Sequence, residues 1–133
     1  MKTYKGWIDR AGNCHITVRE DGKPGRMLKK RLDLSNHSPT GFSWGYGGSG
    51  PAQTALAVLA DALDNDLRAL RLHQSFKWHV IAHLGADDQW QLTDEAVRRI
   101  ANELEVRLPA SPNHEAAEKL LTMHNAAVRQ SKA

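Results

Sequence analysis

The chain of 133 residues has one cysteine, Cys14, so it can form no internal disulfide, and a reducing compartment is expected. No apolar run approaches the roughly 18 residues of a membrane span. The opening Met1-Lys2-Thr3-Tyr4 leads into no apolar stretch of signal-peptide length. A cytoplasmic protein that makes no membrane contact is the expectation. Charge of one sign is also scarce: the formal net charge of +3 is modest beside the strongly basic domains that bind nucleic acid. Catalytic and cofactor signatures are missing too. No Gly-Lys-Ser/Thr ending of a P-loop occurs, and Val80 stands where HExxH would need glutamate between His79 and His83. With no recognisable carboxylate pair, metal set or nucleophile–base pair, the residues favour a non-enzymatic protein without cofactor or metal.

What is present suits one globular domain. A hydrophobic content of 41% and a charged content of 25% are ordinary for a soluble fold, and a chain of this size buries enough surface to need no staple. The charge is unevenly placed. Residues 1–50 hold nine Lys or Arg against four Asp or Glu, a net of +5, whereas residues 51–133 carry a net of −2. The basic residues concentrate at Arg26, Lys29, Lys30 and Arg31. Such a stripe can contact nucleic acid or an acidic protein, or it can be a solvated edge that discourages sheet aggregation.

The most distinctive segment runs Gly41-Phe42-Ser43-Trp44-Gly45-Tyr46-Gly47-Gly48-Ser49-Gly50-Pro51-Ala52. Its aromatics alternate with small residues, which in an extended chain places Phe42, Trp44 and Tyr46 on one face. The glycines that follow tolerate positive φ, and Pro51 suits the first helical position. The reading is a short strand, a bare loop and an exposed helix N-terminus.

Around it, alternation and turn chemistry predict strands over 4–8, 15–19 and 27–34, paired antiparallel through short connections. The aromatic segment 42–46 is expected as a fourth or edge strand. Helical spacing of apolar residues predicts helices over 51–63, 67–84 with Gly85 as its C-cap, and about 93–105 with Thr93 as N-cap. The last, over 113–129, has a thin alanine-rich face. The expected class is therefore α+β, a small N-terminal antiparallel sheet of three or four strands packed against three or four C-terminal helices. Residues 1–108 form the domain and 109–133 a helical extension packed on it.

The run from Arg31-Leu32-Asp33-Leu34 through Asn36-His37-Ser38-Pro39-Thr40-Gly41-Phe42 and Trp44-Gly45-Tyr46-Gly47-Gly48-Ser49-Gly50-Pro51-Ala52-Gln53 resembles a small family of unknown function. Phe76-Lys77-Trp78 and Trp90-Gln91-Leu92-Thr93 extend the likeness, which covers about residues 3 to 105. The resemblance implies a context, small accessory proteins of phages, plasmids and integrative elements, and no catalytic residues.

The leading expectation is a binding protein of mobile-element type that docks on a host protein or ribonucleoprotein, in its most concrete form an inhibitor of a defence system such as CRISPR. Its contact surface is expected at Arg26, Lys29, Lys30 and Arg31 with Asn36, His37, Ser38, Thr40, Trp44, Tyr46, Gly47, Gly48, Ser49 and Gly50. Tryptophans beside basic residues also make single-stranded nucleic acid a possible partner. The alternative is a module whose glycine-rich loop holds a nucleotide or phosphate compound on freed amides at a helix N-terminus. Against that, the loop can be only a tight connection in which glycines let Trp44 and Trp78 pack closely.

Overall fold

The structure, a computed structural model, describes residues 1–107; the expected helix over 113–129 lies outside the described residues. Three strands, β1 (Lys2–Ile8), β2 (Cys14–Glu20) and the two-residue β3 (Arg26–Met27), precede helices α1 (Ser49–Leu63) and α2 (Asp66–His79). A 3₁₀ turn (Ile81–His83), a fourth strand β4 (Trp90–Thr93) and helix α3 (Asp94–Arg107) follow. The sheet is antiparallel in the order β3-β2-β1-β4. The α+β class is as expected, with one strand drawn from between the helices.

Cross-strand pairs Tyr4↔Val18 and Gly6↔Ile16 put four buried residues on one sheet face, as period-two geometry requires. Gly6 is bare for a reason: a Cβ there would overlap the indole of Trp90, which lies across the strand. Against this face sits α1, and every residue from 50 to 60 is buried. A helix apolar on all sides must be covered on all sides, and α2, α3 and the irregular segment 28–48 complete the cover that the sheet begins.

That segment differs from the sequence expectation. A strand over 27–34 ends after Met27 because Arg31 adopts a left-handed conformation, φ 57°, and residues 32–34 turn back. Leu28 and Leu34 thereby reach the same core from opposite sides of the turn. The Arg31 guanidinium holds the turn by donating to Asp33 at 3.0 Å and to Asp66 at 2.8 Å. Segment 42–46 is no strand either, and its aromatics diverge: Trp44 is buried, Phe42 half-buried and Tyr46 exposed. The edge position goes to Trp90–Thr93 instead. α2 stops at His79, six residues before Gly85, because Ile81 is drawn into the core and its carbonyl accepts the Gly45 amide at 3.0 Å. Thr93 does cap α3, accepting from the Ala96 amide at 3.1 Å.

Three polar devices pin the wrapping segment to the helices. Gln53, wholly buried, accepts from the amides of His37 (2.8 Å) and Ser38 (3.1 Å) and donates to the Lys30 carbonyl at 2.6 Å. Thr54 accepts from the Ser43 amide and donates to the Ser43 carbonyl. Nε2 of His37 meets Nε2 of His73 at 3.0 Å. Nδ1 of His73 lies 2.6 Å from the Leu70 carbonyl, which can only accept, so neutral His73 offers Nε2 as an acceptor to His37. Burial, reinforced by the nearby Lys77 charge, pushes both imidazoles below the ordinary histidine range.

Two outcomes follow from this pinning. Gln53→Leu keeps the volume but strands two amides and a carbonyl, and should cost about 2–3 kcal/mol in urea denaturation. A folded-state histidine pKa below its unfolded value means that the unfolded chain binds the extra proton first. The latch therefore contributes fully above about pH 6.5 and is lost as pH falls through the lowered pKa of the pair. Melting temperature should drop between pH 7 and 5, and His73→Gln should flatten that slope; a slope unchanged by the substitution would remove the latch from the account.

Candidate functional site

A cleft of about 760 Å³ lies between the β-edge and the wrapping segment. Cys14, His15 and Ile16 of β2 form one wall, with Met27, Leu28 and Lys30 at its end. The facing wall comes from Ser38, Thr40, Phe42 and Ser43, then Tyr46, Ser49 and Gly50. No carboxylate lines it. His15 is held in place by Asp9 at 2.8 Å and by stacking on Trp7 at 4.4 Å. Cys14 is a poor nucleophile, since partial burial and the Asp9 charge push its thiol upward.

Beside the cleft, the glycine-rich loop has a specific reason for its composition. Positive φ occurs at Gly41 and Gly45, but not at Gly47, Gly48 or Gly50. At these three positions a Cβ would collide with a side chain. The Trp78 indole occupies the space over Gly47, the Tyr46 ring that over Gly48, and the Ser43 hydroxyl that over Gly50. The expected packing of Trp78 on the loop is present, whereas Trp44 turns inward to meet Trp90 edge-on at 5.4 Å. Tyr46 and Trp78 each bury one face on backbone and remain 53% and 56% exposed. The Tyr46 hydroxyl is anchored on Ser43 Oγ at 3.0 Å, and the Lys77 ammonium lies 4.5 Å from the Trp78 ring centroid. Both rings are thus displayed and fixed.

The structure divides the remaining expected contacts. Arg26 is paired with Asp61 at 2.8 Å, and Arg31 with Asp33 and Asp66, so both are occupied in holding the fold. Lys29 and Lys30 make no ion pair among the described residues; Lys29 is exposed, and half-buried Lys30 lines the cleft. Asn36 is exposed while His37 and Ser38 are bound to Gln53 through their amides. Ser38 Oγ donates to the Gly41 carbonyl at 2.8 Å, closing the turn that carries exposed Thr40. Gly50 is buried and Ser49 exposed at the start of α1, whose first turn has neither a side-chain cap nor a carboxylate.

His37 also lies in hydrogen-bond range of both Ser35 and His73, with Ser35 Oγ 3.2 Å from His37 Nε2. Both partners meet the same ring nitrogen, however, and a general base between nucleophile and orienting group needs its two nitrogens facing opposite ways. The geometry is that of a latch. His79 and His83 are exposed, and since the helix breaks at Val80 they no longer share one α-helical face. No group of three or more potential metal ligands exists among the described residues.

Sequence reasoning missed Met27, Phe42 and the β2 edge as walls of the cleft, because nothing in a strand's own residues says where its neighbour ends. Gln53 and Thr54 were legible in principle, as two polar side chains inside an otherwise apolar helix.

No curated protein and no solved structure matches the chain. Residues 4–103 match the model of a family described as a family of unknown function (DUF6166). That span contains the wrapping segment, both displayed aromatics and every residue that lines the cleft, and the chain belongs to that family.

Proposed function

We propose that the chain is a docking protein that holds another macromolecule against the cleft face, without chemistry of its own. One observation carries the reading: Tyr46 and Trp78 lie on glycines whose Cβ positions they occupy, yet half of each ring faces solvent. Rigid aromatics seated in this way lose little entropy on binding, and tyrosine and tryptophan dominate interface energetics. Lys29 and Lys30, free of internal ion pairs among the described residues, add a positive rim suited to an acidic patch on the partner. The mobile-element context of the resemblance makes a host protein or ribonucleoprotein the partner class, and inhibition of a defence system the most concrete role.

The uncapped start of α1 favours the second reading, an anion or nucleotide site. Buried Gly50 and the rings over Gly47 and Gly48 oppose it, since they take up the space a phosphate would need. Thermal shift against a nucleotide and phosphate panel separates the two, because a ligand specific to the native state raises the melting temperature. No rise is expected; a saturable rise of several degrees would displace docking as the leading reading.

For the docking reading, the checking measurement is quantitative affinity capture from host lysate with tagged wild type and surface variants. Trp78→Ala and Tyr46→Ala should each lower recovery of the specific partner by roughly tenfold or more, as loss of an interface anchor does. Lys29→Glu with Lys30→Glu should lower it too, with the melting temperature nearly unchanged. Undiminished recovery with all of these variants would move the contact surface elsewhere.

A further inference from the structure

The sheet has two faces, and α1 covers one of them. Residues directly opposite in an antiparallel ladder point to the same side. Tyr4↔Val18 and Gly6↔Ile16 face α1, so Trp7↔His15, Lys5↔Thr17 and Thr3↔Arg19 face away. β4 adds Gln91 and Thr93 to that outer side, and β3 adds Met27 beside Thr17. None of these residues is buried, so no described element packs over them.

Their chemistry is selective. Trp7 and His15 stack at 4.4 Å with ring planes 27° apart, and Asp9 holds His15 Nε2 at 2.8 Å. The aromatic pair is therefore fixed before any ligand arrives. Lys5 and Arg19 are exposed and make no ion pair among the described residues. As diagonal neighbours across β1 and β2 they lie about 7–8 Å apart, next to the stacked rings. No acidic residue stands on the face itself. At one end Asp9 is engaged by His15 and by the amides of Ala11 and Asn13, and at the other Asp21 pairs with the Met1 ammonium at 3.6 Å. The two cations thus ask for anions from outside the chain.

The kind of anion follows from what the face lacks. A protein partner would need an apolar centre, and here only Trp7 and Met27 are apolar. A duplex is held by many phosphate contacts, more than two cations provide. A single strand supplies what is missing on both counts, since its unpaired bases stack on aromatic rings displayed by an open sheet. We propose that the outer face of the sheet binds single-stranded nucleic acid, with a base stacked on the Trp7–His15 pair and its flanking phosphates held by Lys5 and Arg19. This surface lies on the opposite side of the sheet from α1 and is separate from the docking anchors Tyr46 and Trp78.

The test is fluorescence anisotropy of the full chain with labelled pyrimidine dodecamers as DNA, as RNA and as the DNA duplex. A single strand should bind with a Kd of about 1–100 μM, and the duplex more weakly. Binding of either strand supports the proposal, and their ratio reports whether the sugar hydroxyl is read. The plot of log K against log salt should have a slope of about −1.4 for two phosphates, falling to about −0.7 in Lys5→Gln or Arg19→Gln. Trp7→Leu should weaken binding roughly tenfold. If that variant does not fold, the two charge variants still decide through the salt slope, together with amide shift changes that should centre on Lys5, Trp7, His15 and Arg19. The proposal is overturned if neither strand binds below about 1 mM, weaker than ordinary non-specific binding, or if the duplex binds better than either strand. Shift changes centred elsewhere, or a salt slope unaltered by both charge variants, overturn it as well. So does loss of a captured protein partner in Lys5→Gln and Arg19→Gln without any oligonucleotide binding, since the face then takes a protein. The docking reading stands or falls separately, on Tyr46→Ala and Trp78→Ala.

Discussion

Complete burial of α1 is the constraint from which the rest of the molecule follows. A helix with alanine or a larger apolar residue on every side cannot be served by one sheet and two helices. The chain meets the need with an irregular segment, 28–48, and irregular backbone carries polar groups that a sheet or helix would have satisfied internally. Gln53 and Thr54 resolve that conflict. Placed within the apolar helix, they provide fixed partners for the main chain at Lys30, His37, Ser38 and Ser43. A buried glutamine would be costly alone; here its oxygen and its amide nitrogen are both matched.

The same segment shapes the outer surface. Because 28–48 follows the helix instead of the sheet, β2 has no strand opposite Cys14 on that side, and the cleft lies between it and the 38–43 turn. Because the segment rejoins α1 through Gly47, Gly48 and Gly50, backbone replaces side chain at the point where Trp78 and Tyr46 settle. Core packing and surface display are therefore two results of one path. The basic residues are divided along it too, with Arg26 and Arg31 tying the wrap to Asp61 and Asp66 while Lys29 and Lys30 make no ion pair among the described residues.

Much of the regular structure was legible in the residues. β1 and β2 showed period-two burial, the 51–63 stripe marked α1, and Thr93 marked the start of α3. Sheet membership was not. Met27 to Leu34 alternates well enough for a strand, but the Arg31 turn depends on Asp66, thirty-five residues away, and local pattern holds no trace of that pairing. The aromatic alternation at Phe42, Trp44 and Tyr46 misled for a related reason, since a period of two fits any extended chain whether or not a neighbour pairs with it. Trp90-Gln91-Leu92-Thr93 could be read only as an approach to a helix until β1 was known to lie beside it. The Gly47-Gly48 pair was legible as unusual, though its cause, ring clearance in place of positive φ, belongs to the packing.

The residues alone determined the α+β class, the apolar stripe of α1 and the basic bias of the first fifty positions, because composition and periodicity act over one or two turns of chain. Only the tertiary structure decided which lysines stay free, which face of Trp78 meets solvent, and where β2 lacks a partner. Those are questions of distance between segments far apart in sequence, and they are settled by packing around a helix that had to be covered on every side.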